Sequence, residues 1–156
     1  FRSKKVPSKL LLMGDGPERA PAERLAVQKG IHRDVIFLGK QEQIGEKLAI
    51  ADLLLLPSQL ESFGLAALEA MASEVVPVAT RVGGIPEVIE HGSTGFLAEV
   101  GDVDSMAKYA IEILGDESRL RDMGQACRKW AADHFSANSI IPQYEAFYRR
   151  VLERSS

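Results

Sequence analysis

A chain of 156 residues, 46% hydrophobic and 26% charged, is long enough to bury a core and has the composition of a globular protein. A net charge of −3 gives no electrostatic drive toward nucleic acid or an anionic membrane, and no apolar run approaches the ~20 residues that span a bilayer. Cys127 is the single cysteine, which excludes an internal disulfide and points to a reducing compartment, the cytoplasm.

Short apolar runs then alternate with helical stretches. Residues 9–13 read as a strand closed by Gly14-Asp15-Gly16-Pro17, 23–29 as a helix ended by Gly30, and 35–38 as a strand stopped at Gly39. Residues 42–51 read as a helix, 52–56 as a strand ending at Pro57, 64–72 as an apolar helix, and 75–80 as a strand. Residues 86–90 form a short helix with Pro86 at its first position, where a missing N–H costs nothing, and 95–99 a fifth strand. From Asp102 onward the pattern is wholly helical, with apolar residues three and four apart in 103–114, 117–134 and 139–153. This alternation predicts one α/β domain over 1–156, a Rossmann-like parallel sheet flanked by helices and ending in three helices. Ligands of such sheets bind at the carboxyl ends of strands, so the site belongs in strand-to-helix loops.

The most informative stretch is Pro57-Ser-Gln-Leu-Glu61-Ser-Phe-Gly64-Leu-Ala-Ala-Leu-Glu69-Ala-Met-Ala72. Its helix is apolar almost all round, which predicts burial. The neighbours of Glu69 at three and four residues are Leu65, Ala66, Ala72 and Ser73, none of them basic. A carboxylate there is costly unless something outside the helix satisfies it, and the vicinal hydroxyls of a ribose would suit. Glu61 lies in the loop entering the helix, beside backbone N–H groups that make an anion site. Two structural readings stand beside this one. Ser58 to Glu61 also fits a capping box, and Glu69 could pair with a base from elsewhere in the fold.

E-S-F-G-L-A-A-L-E, after D-L-L-L-L-P-S and before A-M-A, resembles family 4 of the retaining GT-B glycosyltransferases. The resemblance implies the C-terminal, nucleotide-sugar-binding domain of a two-domain enzyme. The N-terminal acceptor domain would lie outside these residues, and the chain alone would transfer no sugar. It further implies that Glu61 sits at the donor sugar hydroxyls near the reacting centre and that Glu69 binds the ribose. Backbone amides of Phe63, Gly64 and Leu65 would hold the diphosphate, with Ser62 in the same lining. Gly14-Asp15-Gly16-Pro17 is by itself an ordinary tight turn, neither a P-loop nor a dinucleotide fingerprint; it is similar to the family's G-x-G-P element, which makes Gly14 and Gly16 substrate-binding. Gly83-Gly84-Ile-Pro86-Glu87 and His91-Gly92-Ser-Thr-Gly95 resemble segments flanking the donor pocket, although Glu87 is equally explained by a helix's first turn.

Phe1-Arg2-Ser3-Lys4-Lys5 resembles the family's F-R-x-x-K, so Arg2 and Lys5 correspond to its catalytic arginine and lysine, which contact the donor diphosphate and would neutralise leaving-group charge. Out of that context they are a solvated charge run. The family carries a helix of roughly 15 residues after this lysine, four turns at 3.6 each. Here Val6, Pro7 and Ser8 alone intervene. The family's A-x-G-x-P also becomes Ala72-Ser-Glu74-Val-Val-Pro77, which should alter a helix-to-strand turn without touching the site.

Phe37-Leu-Gly-Lys-Gln41 and Thr80-Arg-Val-Gly-Gly-Ile-Pro-Glu are most similar to the bacillithiol-pathway branch, which moves N-acetylglucosamine from UDP-GlcNAc to L-malate. Alternatives are another UDP- or GDP-sugar transferase or epimerase of this architecture, and a non-catalytic nucleotide-binding module. No cofactor and no metal are expected. His32, His91 and His134 have no ligand spacing with Cys127, and Asp102-Val-Asp104 opens a helix rather than holding a metal-diphosphate. Tyr144, Phe147, Tyr148 and Val151 form one aromatic-apolar face of the last helix. The resemblance makes residues 140–153 a helix that crosses to the enzyme's own N-terminal domain. Without that domain the face would be exposed, or covered by a second copy.

Overall fold

The computed structural model describes residues 6–154, so Arg2 and Lys5 lie outside the described residues. The chain divides into two compact units at Lys47/Leu48. In the first unit β1 (Leu10–Met13), α1 (Arg19–Gln28) and β2 (Val35–Gly39) follow in order. The strands pair in parallel from Leu10 against Val35, and the register slips between Leu12 and Met13 so that Met13 faces Gly39. Helix α1 starts at Arg19, ahead of the expected residue 23. Pro21 falls in its first turn, where a backbone N–H would have no intrahelical acceptor.

Helix α2 (Ile44–Leu48) is shorter than the predicted 42–51. Gly45 weakens it, and Ile44 and Ile50 are exposed, so Leu48 alone anchors it. The second unit continues with β3 (Leu53–Leu56), α3 (Leu65–Ala72), β4 (Val76–Thr80), α4 (Ile85–Val88) and β5 (Phe96–Ala98). It ends in α5 (Val103–Leu114), α6 (Glu117–Phe135) and α7 (Ala137–Arg154). Its strands are parallel in the order β3-β4-β5. All five residues of β4 are buried, so this central strand is covered on both faces. Helices α3, α5 and α6 pack against the strands. Met71, Val78, Ile85 and Ile113 are fully buried, each worth roughly 1.5–3 kcal/mol of apolar transfer. The five strands expected in one sheet form two hydrogen-bonded ladders, one in each unit.

Asp102 caps α5 by accepting from the Ser105 amide at 2.9 Å, and Asp116 caps α6 through Arg119 at 3.0 Å. Asp102-Val-Asp104 is thus a helix start, and hydrogen bonding from Ser105 holds the Asp102 carboxyl below its ordinary range. The turn after α3 holds Glu74 at φ +64°, the one non-glycine with positive φ among the described residues. An L-residue there costs about 1–2 kcal/mol, which explains why glycine suits this position. Gly124 of α6 seats on this turn, since a Cβ on it would lie 2.5 Å from the Glu74 carbonyl oxygen.

Helix α7 begins at Ala137 rather than 139, with Ser136 Oγ accepting from the Ser139 amide at 3.3 Å. It runs through Pro142. Tyr144, Phe147, Tyr148 and Val151 are exposed. No helix among the described residues is long and apolar enough to cross a membrane.

Candidate functional site

The loop from Pro57 to Gly64 leaves the carboxyl end of β3 and enters α3, the place at which parallel sheets expose ligand sites. It is held along its length. Thr80, buried at the end of β4, donates its hydroxyl to the Ser58 carbonyl at 2.6 Å. The Gly84 amide donates to the Ser62 carbonyl at 3.2 Å. The ring of Phe63 meets the edge of Phe135 on α6, centroids 5.9 Å apart. Helix α6 is itself pinned by Trp130, whose Nε1 donates to the Val88 carbonyl at 3.0 Å.

Gly64 takes φ +98° as the N-cap of α3, and no side chain caps the helix. Ser58 to Glu61 is therefore not its capping box. The half-buried Glu61 instead turns its carboxylate onto its own loop, accepting from the Ser62 amide at 3.1 Å. Beyond it, the N–H groups of Phe63, Gly64, Leu65 and Ala66 have no acceptor among the described residues. Four unspent donors at the positive end of a helix dipole attract an anion.

The expected burial of α3 holds on one side only. Ala67, Ala70 and Met71 are fully buried, whereas Leu65 is 63% exposed and Ala66, Glu69 and Ala72 are exposed with it. Apolar letters on every side do not say which side the fold covers; here the sheet and α6 take one and leave the other open. Glu69 is therefore not a buried carboxylate. It stands one turn above Leu65 on the open side, and its carboxylate has no hydrogen bond or ion pair among the described residues, so the basic partner weighed above is not one of them. Glu61, Ser62, Phe63, Gly64, Leu65 and Glu69 are thus gathered on one loop and one helix face.

Gly14 and Gly16 lie in the first unit, in the turn between β1 and α1. Gly14 has φ +124° and donates its amide to the Gly39 carbonyl at 2.8 Å; the Gly16 amide donates to Asp15 Oδ1 at 3.0 Å. A Cβ on either glycine would meet nothing within 4 Å, so this turn offers open approach to its backbone rather than free donors. His91 is structural: its Nδ1 accepts from the Leu97 amide at 2.9 Å, and its ring contacts Phe96 and Tyr109. Cys127 is fully buried, with Sγ 3.1 Å from the Thr94 carbonyl, and burial pushes its thiol up to about 12. Among the described residues no group of three or more His, Cys, Asp or Glu could hold a metal ion. Two surface grooves, beside Ser93, Asp116 and Arg119 and beside Asp52, Glu74 and Arg121, include no residue of 57–69. Thr80 and Phe135 carried no signal in the sequence, because each acts on a loop far from it in the chain.

The family model of glycosyl transferases group 1 matches residues 1–130. The chain belongs to this family. It is 50% identical over 147 residues to N-acetyl-alpha-D-glucosaminyl L-malate synthase of Bacillus anthracis, a match covering 94% of this chain and 39% of the relative. It is 36% identical to an exopolysaccharide phosphotransferase of Streptomyces coelicolor, over 94% of this chain and 16% of that protein. The chain thus spans well under half the length of these relatives. Among solved structures, Anabaena HepE in complex with UDP superposes with a TM-score of 0.85 at 26% identity, over 95% of this chain and 43% of that one. Sucrose-phosphate synthase of Thermosynechococcus elongatus gives 0.84 at 27% identity, over 97% and 41%. The fold of this glycosyltransferase chain is that of GT-B enzymes.

Proposed function

We propose that this chain is the C-terminal, donor-binding part of a retaining glycosyltransferase that moves N-acetylglucosamine from UDP-GlcNAc to L-malate. The observation that carries the reading is the open surface at 61–69, with its unspent amides and two glutamates, in a chain 50% identical to a GlcNAc-malate synthase. The N–H groups of Phe63, Gly64 and Leu65 would bind the diphosphate at the start of α3, and Glu69 would accept from the ribose hydroxyls. Glu61 and Ser62 would lie at the sugar, with Gly14 and Gly16 lining the nucleotide. Arg2 and Lys5 would neutralise charge on the leaving diphosphate, so that no metal is needed. Retention would follow a front-face route in which the leaving phosphate takes the acceptor proton. A covalent route through two carboxylates is the alternative chemistry. The exposed face of α7 fits a helix that crosses to an N-terminal half, and the reduced thiol of Cys127 fits a cytoplasmic setting.

The test is transfer from UDP-GlcNAc to L-malate by the full-length polypeptide, with the anomer read by NMR. An α-linked product, and none from the 156-residue chain alone, is expected. Transfer by this chain alone would show that it holds both donor and acceptor sites. A full-length protein active with GDP-mannose instead would place it with the GDP-mannose-dependent mannosyltransferase of Mycolicibacterium smegmatis, to which the chain is 32% identical.

A further inference from the structure

The loop bearing Glu61 rests on a second loop, the turn at Gly83-Gly84. Gly83 has φ +55°, and a Cβ built on it would lie 1.6 Å from the carbonyl oxygen of Glu61 and 2.8 Å from its carbonyl carbon. At Gly84, whose φ is an ordinary −81°, a Cβ would meet the Ser62 carbonyl oxygen at 2.8 Å and Phe63 Cα at 2.9 Å. These neighbours are backbone atoms and cannot swing aside as the end of a flexible side chain can. Ile85, next along, closes the contact from Gly64: a Cβ there would meet Ile85 Cγ1 at 3.2 Å.

This contact fixes the direction of two peptide planes. In a trans peptide the C=O of one residue and the N–H of the next point opposite ways. The Glu61 carbonyl faces Gly83, so the Ser62 N–H points away from the turn, where it holds the Glu61 carboxylate at 3.1 Å. The Ser62 carbonyl accepts from Gly84 N–H at 3.2 Å, so the Phe63 N–H also points away, as the first of the unspent donors. We infer that Gly83-Gly84 is a positioning element of the transfer reaction, which sets the Glu61 carboxylate by backbone contact. The inference rests on the proposed role of Glu61 and goes beyond it by naming what holds that residue in place.

The test uses the full-length polypeptide with UDP-GlcNAc and L-malate, and compares Gly83→Ala, Gly83→Asn, Gly84→Ala, Glu61→Gln and the double variant Glu61→Gln/Gly83→Ala. Asparagine tolerates positive φ but brings a Cβ, so it separates the left-handed turn from the close approach. Both Gly83 variants should lower kcat about 100-fold, the loss expected of a misplacement near 1 Å, while UDP affinity changes no more than about threefold. Because Gly83 acts through Glu61, the double variant should be no slower than the slower single variant. Gly101→Ala is the control, since Gly101 has φ +85° with nothing within 4 Å of its Cβ: its melting point should fall with kcat intact. If the Gly83 variants do not fold, Gly84→Ala, free of the left-handed penalty, decides alone: a kcat loss of similar size supports the inference and an unchanged kcat overturns it. Recovery of kcat in Gly83→Asn, or losses that multiply in the double variant, would also overturn it. An unchanged kcat in Glu61→Gln would instead refute the role of Glu61 itself.

Discussion

Replacing Glu69 by glutamine changes one charge and almost no shape. Its carboxylate has no partner among the described residues and lies on the open side of α3, so the fold should lose no more than about 0.5 kcal/mol. Any change in binding therefore reports on the ligand. A carboxylate accepting from ribose hydroxyls makes charge-assisted hydrogen bonds worth about 1.5–3 kcal/mol, so the Kd for UDP should rise about 10- to 150-fold. Isothermal titration of UDP and of 2′-deoxy-UDP into both proteins separates this contact from a general charge effect. The wild type should bind the deoxy nucleotide more weakly than UDP, and Glu69→Gln should scarcely distinguish the two. A Kd for UDP within twofold of wild type, or the same discrimination in both proteins, would refute the ribose assignment.

Gly95 has φ +147°, and a Cβ on it would meet the Pro77 carbonyl oxygen at 2.6 Å and Pro77 Cγ at 2.8 Å. Backbone strain of about 1–3 kcal/mol and overpacking of a similar size should make Gly95→Ala destabilising by about 2–6 kcal/mol in chemical denaturation, and a loss below 0.5 kcal/mol would show that β4 and β5 can part to admit a methyl group. Cys127 should resist alkylation in the folded chain at pH 8 and react once denaturant unfolds it; prompt labelling would contradict its burial. The thiol's raised pKa means that the folded state holds its proton more tightly, so this contribution to stability is complete below pH 9.0 and is lost as pH rises toward about 12. Trp130→Phe should cost about 0.5–1.5 kcal/mol by leaving the Val88 carbonyl without its indole donor, measured by urea unfolding. An unchanged midpoint would mean that solvent replaces the bond.

Elements with a strong local signature were legible. Val-Pro-Val-Ala-Thr could be read as a buried strand because an apolar run needs two covered faces, and β4 has them. Helix α5 was bounded correctly because Asp102 and Gly115 mark its ends. The start of α1 was missed by four residues: Pro21 lies inside its first turn, which tolerates proline. Residues 137 and 138 were missed at the start of α7 because Ser136 does the capping. At the candidate site, the order of residues pointed to Glu61 and Glu69 on one loop and helix but not to the exposure of Glu69. Helical periodicity locates faces only relative to one another, and tertiary packing chooses which one is covered. The seating of Glu61 on Gly83 joins residues 22 apart through backbone contact, and its trace in the sequence is a pair of glycines that an isolated turn would explain equally well.

The central claim is that this chain receives the nucleotide of a sugar donor, and titration of UDP, UDP-GlcNAc and GDP-mannose into the 156-residue protein tests it most directly. Saturable one-to-one binding of UDP and UDP-GlcNAc, with GDP-mannose weaker, is the predicted result. Absence of binding by all three in a folded sample would contradict the account.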